Sequence, residues 1–238
     1  CMEMAGSQSG AHPVNIQREE VGLGAGESTE DVARTLACYH AVIAARVFDH
    51  RDLDRMAAAV ETPVLNLLSD TDHPLQGLAD LLTIEQLVGR LEGARVAYVG
   101  DGNNNVARSL AEGCALTGAL LTIASPEEFQ LAAPPEGVRQ VVNPAEAVAG
   151  ARIVYTDVWV SMGQAEATAA RHAALAPYQV DEALMALADD AWFLHCLPAR
   201  RGEEVAAEVI DGPRSAVWRQ AENRMHTARG ALAWMVEK

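Results

Sequence analysis

The chain has 238 residues, half of them hydrophobic, enough to bury one large or two small cores. Its formal charge of −15 argues against a nucleic-acid surface, because a phosphate backbone would be repelled. No stretch reaches the ~20 apolar residues of a membrane span and no secretory leader is recognisable, so a cytoplasmic protein without a membrane partner is expected. The same charge is no obstacle to a small anionic ligand, which needs only a few local arginines. Cys1, Cys38, Cys114 and Cys196 are far apart and show no CxxC or Cys/His metal spacing, so free thiols are expected.

In chain order, residues 1–9 have helical composition and end at Gly10. Residues 18–28 (REEVGLGAGES) are charged, then glycine-rich, and read as a loop. Glu30 and Asp31, with the apolar spacing of Val32, Leu36 and Ala37, open a helix. Short apolar runs follow at 41–48, 63–68, 95–100, 119–125, 138–142, 151–159, 192–198 and 215–219. Helical stretches at 50–60, 74–91, 104–117, 126–132 and 144–149 alternate with them. This alternation predicts an α/β protein, its parallel strands covered by helices in one wide sheet or two smaller ones. Segment 74–91 is a natural bridge between two lobes. A final helix over 219–237 carries apolar residues at Ala221, Met225, Ala228, Leu232 and Met235.

Ligands of such sheets bind beyond the carboxyl ends of the strands, so the polar residues there are the candidates. Arg46 ends the first run, where a guanidinium can fork onto phosphate or carbonyl oxygens or make a surface ion pair. His73 and Gln76 flank Pro74, which suits a first helical turn. They either face an anion at that N-terminus or cap the helix. Gly100-Asp101-Gly102-Asn103-Asn104-Asn105 fails the dinucleotide pattern, since Asn105 stands where a third glycine belongs. Its asparagines offer neutral amides to a zwitterion, or make a tight turn. Asp157 can accept from an ammonium group, and Ser161-Met162-Gly163 follows it in a loop. His195-Cys196-Leu197-Pro198 supplies either a nucleophile candidate or an inert buried thiol with a satisfied histidine. Pro198 restricts Leu197 to extended backbone and allows a cis peptide. Arg219 and Arg224 at the start of the last helix oppose its dipole, so one is expected to do more than pair with Glu222.

Together these segments resemble ornithine carbamoyltransferases, in order, from about Glu3 to the end. HCLPARRGEEV (195–205) is similar to the family's HCLP segment and DVWVSMGQ (157–164) to its ornithine loop. SDTDHPLQGLADLLTI (69–84) and VWRQAENRMHTARGALAWM (217–235) are similar to two further segments. The resemblance implies two α/β domains, each a parallel sheet flanked by helices. Residues 1–85, completed by 219–238, would bind carbamoyl phosphate, and 86–218 would bind ornithine. The implied reaction moves the carbamoyl group to the δ-amine of L-ornithine, giving citrulline and phosphate, as in arginine metabolism. Arg46, His73, Gln76 and Arg224 would hold the donor and polarise its carbonyl. Asn105, Asp157, Ser161 and Met162 would bind ornithine. Cys196, next to His195, would lie near the reacting amine, and the backbone of Cys196 and Leu197 would take the carbamoyl NH₂. The resemblance implies no metal or organic cofactor. It implies trimers or multiples of trimers, with active sites near subunit interfaces.

The family's Ser-Thr-Arg-Thr phosphate loop is expected just before residue 1, and the chain opens on Cys1 rather than Met. It therefore reads as N-terminally truncated, and weak donor binding is expected of it. Gly22 replaces a glutamine that reaches a neighbouring subunit, and Leu67 a common glycine. One alternative is a carbamoyltransferase for putrescine or an acylated ornithine, which Ser161-Met162-Gly163 disfavours. The other is a relative that binds without catalysis.

Overall fold

The computed structural model describes residues 1–17, 20, 26–160 and 168–237. Two compact units emerge: Cys1–Leu75 with Arg224–Lys238, and Gln76–Asn223. These divisions differ from the expected 85/86 and 218/219. Within the second unit, Gln76 bonds to Asp80 on the same helix, and Asp80 and Thr83 accept from Gln220 and Asn223 on another.

The first unit contains α1 (Met2–Gln8), α2 (Thr29–Ala37), β1 (Ile43–Arg46), α3 (His50–Ala59), β2 (Val64–Leu68) and the end of α10 (Val217–Val236). The Ser28 hydroxyl accepts from the Asp31 N–H at the head of α2, where Glu30 and Asp31 also suit the helix dipole. Asp49 caps α3 in the same way. Strands β1 and β2 pair in parallel, with a register shift between Ala45 and Arg46. Such irregularities re-aim a side chain at a strand end, and here the residue concerned is Arg46. Ala5, Leu65, Leu75 and Ala228 form the centre of this unit's core.

The second unit holds α4 (Pro74–Val88, from Gln76 on), β3 (Arg95–Val99), α5 (Asn105–Thr117), β4 (Leu120–Ala124), β5 (Arg139–Val141) and α6 (Pro144–Val148). It continues with β6 (Ile153–Tyr155), α7 (Thr168–Leu175), α8 (Glu182–Met185), β7 (Trp192–Leu194), α9 (Ala207–Ile210) and the start of α10. The five strands run in parallel in the order β5-β4-β3-β6-β7. Strand β3 is central and buried from Val96 to Val99, as a strand covered on both faces must be. Alternation sends Val96 and Tyr98 into one core cluster and Ala97 and Val99 into the other. Val106, Leu110 and Cys114, spaced four apart on α5, fill the first of these. The helix is capped by Asn104 and ends at Gly118, whose φ of 75° suits a residue without a side chain. Chain order reverses at β3, with β4 on one side and β6 on the other. The crevice at such a switch point is where open α/β sheets bind ligands.

Three expectations need correction. Residues 215–219 form no eighth strand: Ser215 makes one bridge to Phe193, and Val217 already opens α10. A short apolar run cannot be told from a buried helix start by periodicity. Residues 126–132 form only a single 3₁₀ turn, Glu127–Phe129. Instead of helical bonds, the Leu131 N–H and C=O meet the two ends of the Gln140 amide at 2.8 and 3.1 Å. On α10, Ala221 is exposed whereas Gln220 and Asn223 are buried. Helices α7, α8 and α9 were not anticipated, being short or adjoining a loop. No helix among the described residues is long and apolar enough to cross a membrane.

Leu110 is fully buried between α5 and the sheet. Leu110→Ala is expected to lower the unfolding free energy by about 3 kcal/mol in urea titration. A loss below about 1 kcal/mol would contradict the packing of α5 on β3.

Candidate active site

In the first unit, Arg46 leaves the end of β1, His73 stands just before α4, and Arg224 lies on α10. The Arg224 Nη1 is 3.2 Å from His73 Nε2. A guanidinium only donates, so Nε2 accepts and the neutral ring carries its proton on Nδ1. Burial, reinforced by the charges of Arg224 and Arg46, brings the His73 pKa down to about 3. The arrangement is a neutral imidazole with two fixed cations nearby, suited to an anion or a polarised carbonyl oxygen. The loop that delivers His73 is pinned. The Asp72 N–H donates to Ser69 Oγ at 3.1 Å, the Ser69 N–H to the Asp72 carbonyl at 2.8 Å, and His50 Nδ1 lies 2.8 Å from Ser69 Oγ.

In the second unit, the strand ends carry the rest. Gln76, in the first turn of α4, is buried and donates to Asp80 Oδ1 at 2.7 Å. Asp157 follows β6, is 4% exposed, and accepts from the Cys196 thiol at 3.1 Å. His195 is fully buried; its Nδ1 accepts from the Leu197 N–H at 2.9 Å. That bond leaves the ring proton on Nε2, which faces Glu204 Oε1 at 3.3 Å. The contact is electrostatic rather than a well-aligned hydrogen bond. Glu204 Oε1 also accepts from the Arg200 N–H at 2.5 Å.

Leu197 departs from the extended backbone expected before Pro198. Its φ is +60°, and the Leu197–Pro198 peptide is cis. A left-handed residue with a side chain costs about 1–2 kcal/mol, and the His195 Nδ1 bond to its N–H holds it there. Asp157, His195 and Cys196 also bring one ligand atom each within 4.8 Å of one another, a grouping that could hold a metal ion. In the structure, hydrogen bonds to one another and to Leu197 engage these groups.

In the Gly-Asp-Gly loop, Asn105 is half-buried at the start of α5, while Asn104 is buried and donates to the Tyr98 hydroxyl at 2.9 Å. Asp101 is buried and ion-paired with Arg171. Arg171 also donates to the Trp159 carbonyl at 2.5 Å and lies 4.5 Å over the Phe129 ring. Gly102 is required by space: a Cβ there would stand 2.8 Å from Ile123 Cγ2 and 2.9 Å from Ser125 Oγ. Ser161 and Met162, like Gly22, lie outside the described residues.

The structure thus gathers Arg46, His73 and Arg224 in one unit, and Asp157, His195, Cys196 and Leu197 in the other. Sequence reasoning missed Asp80, Glu204, Gln220 and the Asp101–Arg171 pair. Asp80 had a signal, standing four residues after Gln76 and so one turn along the same face.

Two consequences follow for pH. An unfolded histidine titrates near 6.5, so stability linked to His73 is full above that and is lost as pH falls toward 3. Its ring signals in NMR should keep neutral-form shifts from pH 8 to 5; a midpoint near 6.5 would refute the buried pair. Burial pushes the Asp157 carboxyl up, with His195, the Cys196 thiol and the Val158 amide opposing. A raised folded pKa confers stability at low pH that is lost as pH rises through it. Asp157→Asn should therefore melt above the parent chain at pH 8, and a lower Tm would show that the carboxylate stabilises the fold where it stands.

Residues 1–86 match the family described as aspartate/ornithine carbamoyltransferase, carbamoyl-P binding domain. Residues 92–235 match its Asp/Orn binding domain. An ornithine carbamoyltransferase of Hyperthermus butylicus is 51% identical, over 98% of this chain and 78% of that protein. One from Bacillus subtilis is 44% identical, over 98% and 76%. Among solved structures, ornithine carbamoyltransferase from Pyrococcus furiosus superposes with a TM-score of 0.91 at 40% identity, covering 98% of this chain and 78% of that one. The Thermus thermophilus enzyme gives 0.90 at 40% identity, covering 99% and 80%. The chain belongs to the aspartate/ornithine carbamoyltransferase family.

Proposed function

We propose that this protein transfers the carbamoyl group of carbamoyl phosphate to the δ-amine of L-ornithine, giving citrulline and phosphate. The observation that carries the reading is the neutral His73 held against Arg224, with Arg46 acting on the same ring. Residues 1–85 with 219–238 take the donor, and 86–218 take ornithine. Arg46 and Arg224 balance the donor's charge, and Gln76 accepts from its NH₂ group. Asn105, Ser161 and Met162 hold the amino-acid end of ornithine. Asp157 accepts from the side-chain ammonium beside Cys196, and the backbone carbonyls of Cys196 and Leu197 accept from the carbamoyl NH₂.

The reaction requires a neutral amine, whose unperturbed pKa is about 10. Desolvation on binding lowers it. The amine nitrogen then attacks the carbonyl carbon, forming the new C–N bond and an oxyanion. Arg46, His73 through Nδ1–H, and Arg224 stabilise this charge by donation. Collapse breaks the C–O bond to phosphate, and the proton given up by the amine equals the one the phosphate gains. Holding two substrates in line supplies much of the acceleration. Cys196 forms no covalent bond in this scheme. The reading extends to a cytoplasmic enzyme of arginine metabolism, assembled as trimers or multiples of trimers, and is supported there by resemblance.

The test is citrulline formation from carbamoyl phosphate and ornithine, with putrescine and an acylated ornithine as competing amines. Arg224→Ala should lower kcat/KM about 10²–10³-fold, and ornithine should be the preferred amine. A folded, ligand-binding chain that forms no citrulline would favour a non-catalytic relative.

A further inference from the structure

The buried carboxylate of Asp80 is not used in the scheme above. Asp80 lies in the middle of α4, in the second unit, and is fully buried. Two side-chain amides converge on its Oδ1: Gln76 Nε2 at 2.7 Å and Gln220 Nε2 at 2.6 Å. A carboxylate oxygen accepts and does not donate. Both glutamines must therefore turn their NH₂ groups toward Asp80 and their carbonyl oxygens away. For Gln220 the consequence is visible, since its Oε1 accepts the His195 backbone N–H at 2.9 Å. For Gln76 the same rule turns Oε1 outward from Asp80, the orientation needed to accept from an NH₂ group.

We propose that Asp80 is a positioning residue. It sets the Gln76 amide so that its oxygen meets the carbamoyl NH₂ and, through Gln220, it fixes the backbone at the start of the His195-Cys196-Leu197 turn. The proposal rests on the reading of Gln76 as a ligand of carbamoyl phosphate. A separate contact keeps α10 against α4 when Asp80 is changed. Asn223 Nδ2 donates to Thr83 Oγ1 at 2.8 Å and to Gln86 Oε1 at 2.9 Å, one turn further along both helices. Loss of the carboxylate thus reorients amides without detaching the helices.

The test is calorimetric titration of the full chain with carbamoyl phosphate. Gln76→Ala is expected to weaken binding about tenfold; no change there would remove the Gln76 reading itself. Asp80→Leu, close in shape but without an acceptor, should weaken binding to a similar extent and add nothing in the Gln76→Ala background. Asp80→Asn, whose Oδ1 can still accept both amides, should bind within about threefold of the parent chain. Wild-type affinity in Asp80→Leu, or an effect that multiplies with Gln76→Ala, would overturn the positioning role. Should Asp80→Leu fail to fold, the unaltered chain decides by NMR. The Gln76 side-chain NH₂ protons should stay protected from exchange when carbamoyl phosphate is added. Loss of that protection would mean that the amide turns its NH₂ to the ligand, which excludes the proposal.

Discussion

A carboxylate taken out of water has to be met by donors, and the second unit buries four among its described residues: Asp80, Asp101, Asp157 and Glu204. Each is answered differently. Asp80 receives two amides, Asp101 a guanidinium, Asp157 a thiol, and Glu204 a backbone N–H with an imidazole alongside. Asp101 and Asp157 stand just past the carboxyl ends of β3 and β6, the two strands that flank the point where chain order reverses. Two of these four costly groups thus stand where a parallel sheet presents its binding crevice.

These groups trade stability for geometry. Burial raises the pKa of Asp101 despite Arg171, and of Asp157 despite three stabilising neighbours. Leu197 is held in a left-handed conformation by a neutral ring nitrogen. A protein selected only for stability would replace such features with apolar packing. They stand just past strand ends, where such sheets bind ligands, whereas the sheet interior, from Val96 to Val99, contains only buried apolar and aromatic side chains.

The first unit solves a different problem. It sets positive charge beside an uncharged imidazole by packing His73 against Arg224 in a partly buried setting. Burial, reinforced by the two cations, keeps a proton off the ring, so the histidine remains a neutral hydrogen-bonding group while the guanidiniums carry the charge. The register shift before Arg46 and the Ser69–Asp72 turn before His73 are local devices that deliver these side chains.

The sequence by itself determined the fold class, most of the strands, and the positions at which polar residues interrupt apolar runs. Alternating apolar runs and amphipathic stretches are local properties of the chain, so the parallel α/β organisation and the places of Arg46, His73, Gln76, Asp157, His195 and Cys196 were legible. Tertiary structure alone decided the rest. Nothing in the pattern around 215–219 says that Val217 begins a helix, because a buried helix start and a buried strand look alike over five residues. Nothing in the sequence singles out Gln220 and Asn223, whose partners on α4 lie some 140 residues away. Asp80 and Glu204 are ordinary acids in the sequence. They become buried, specifically partnered groups only because folding removes water from them and leaves donors in its place.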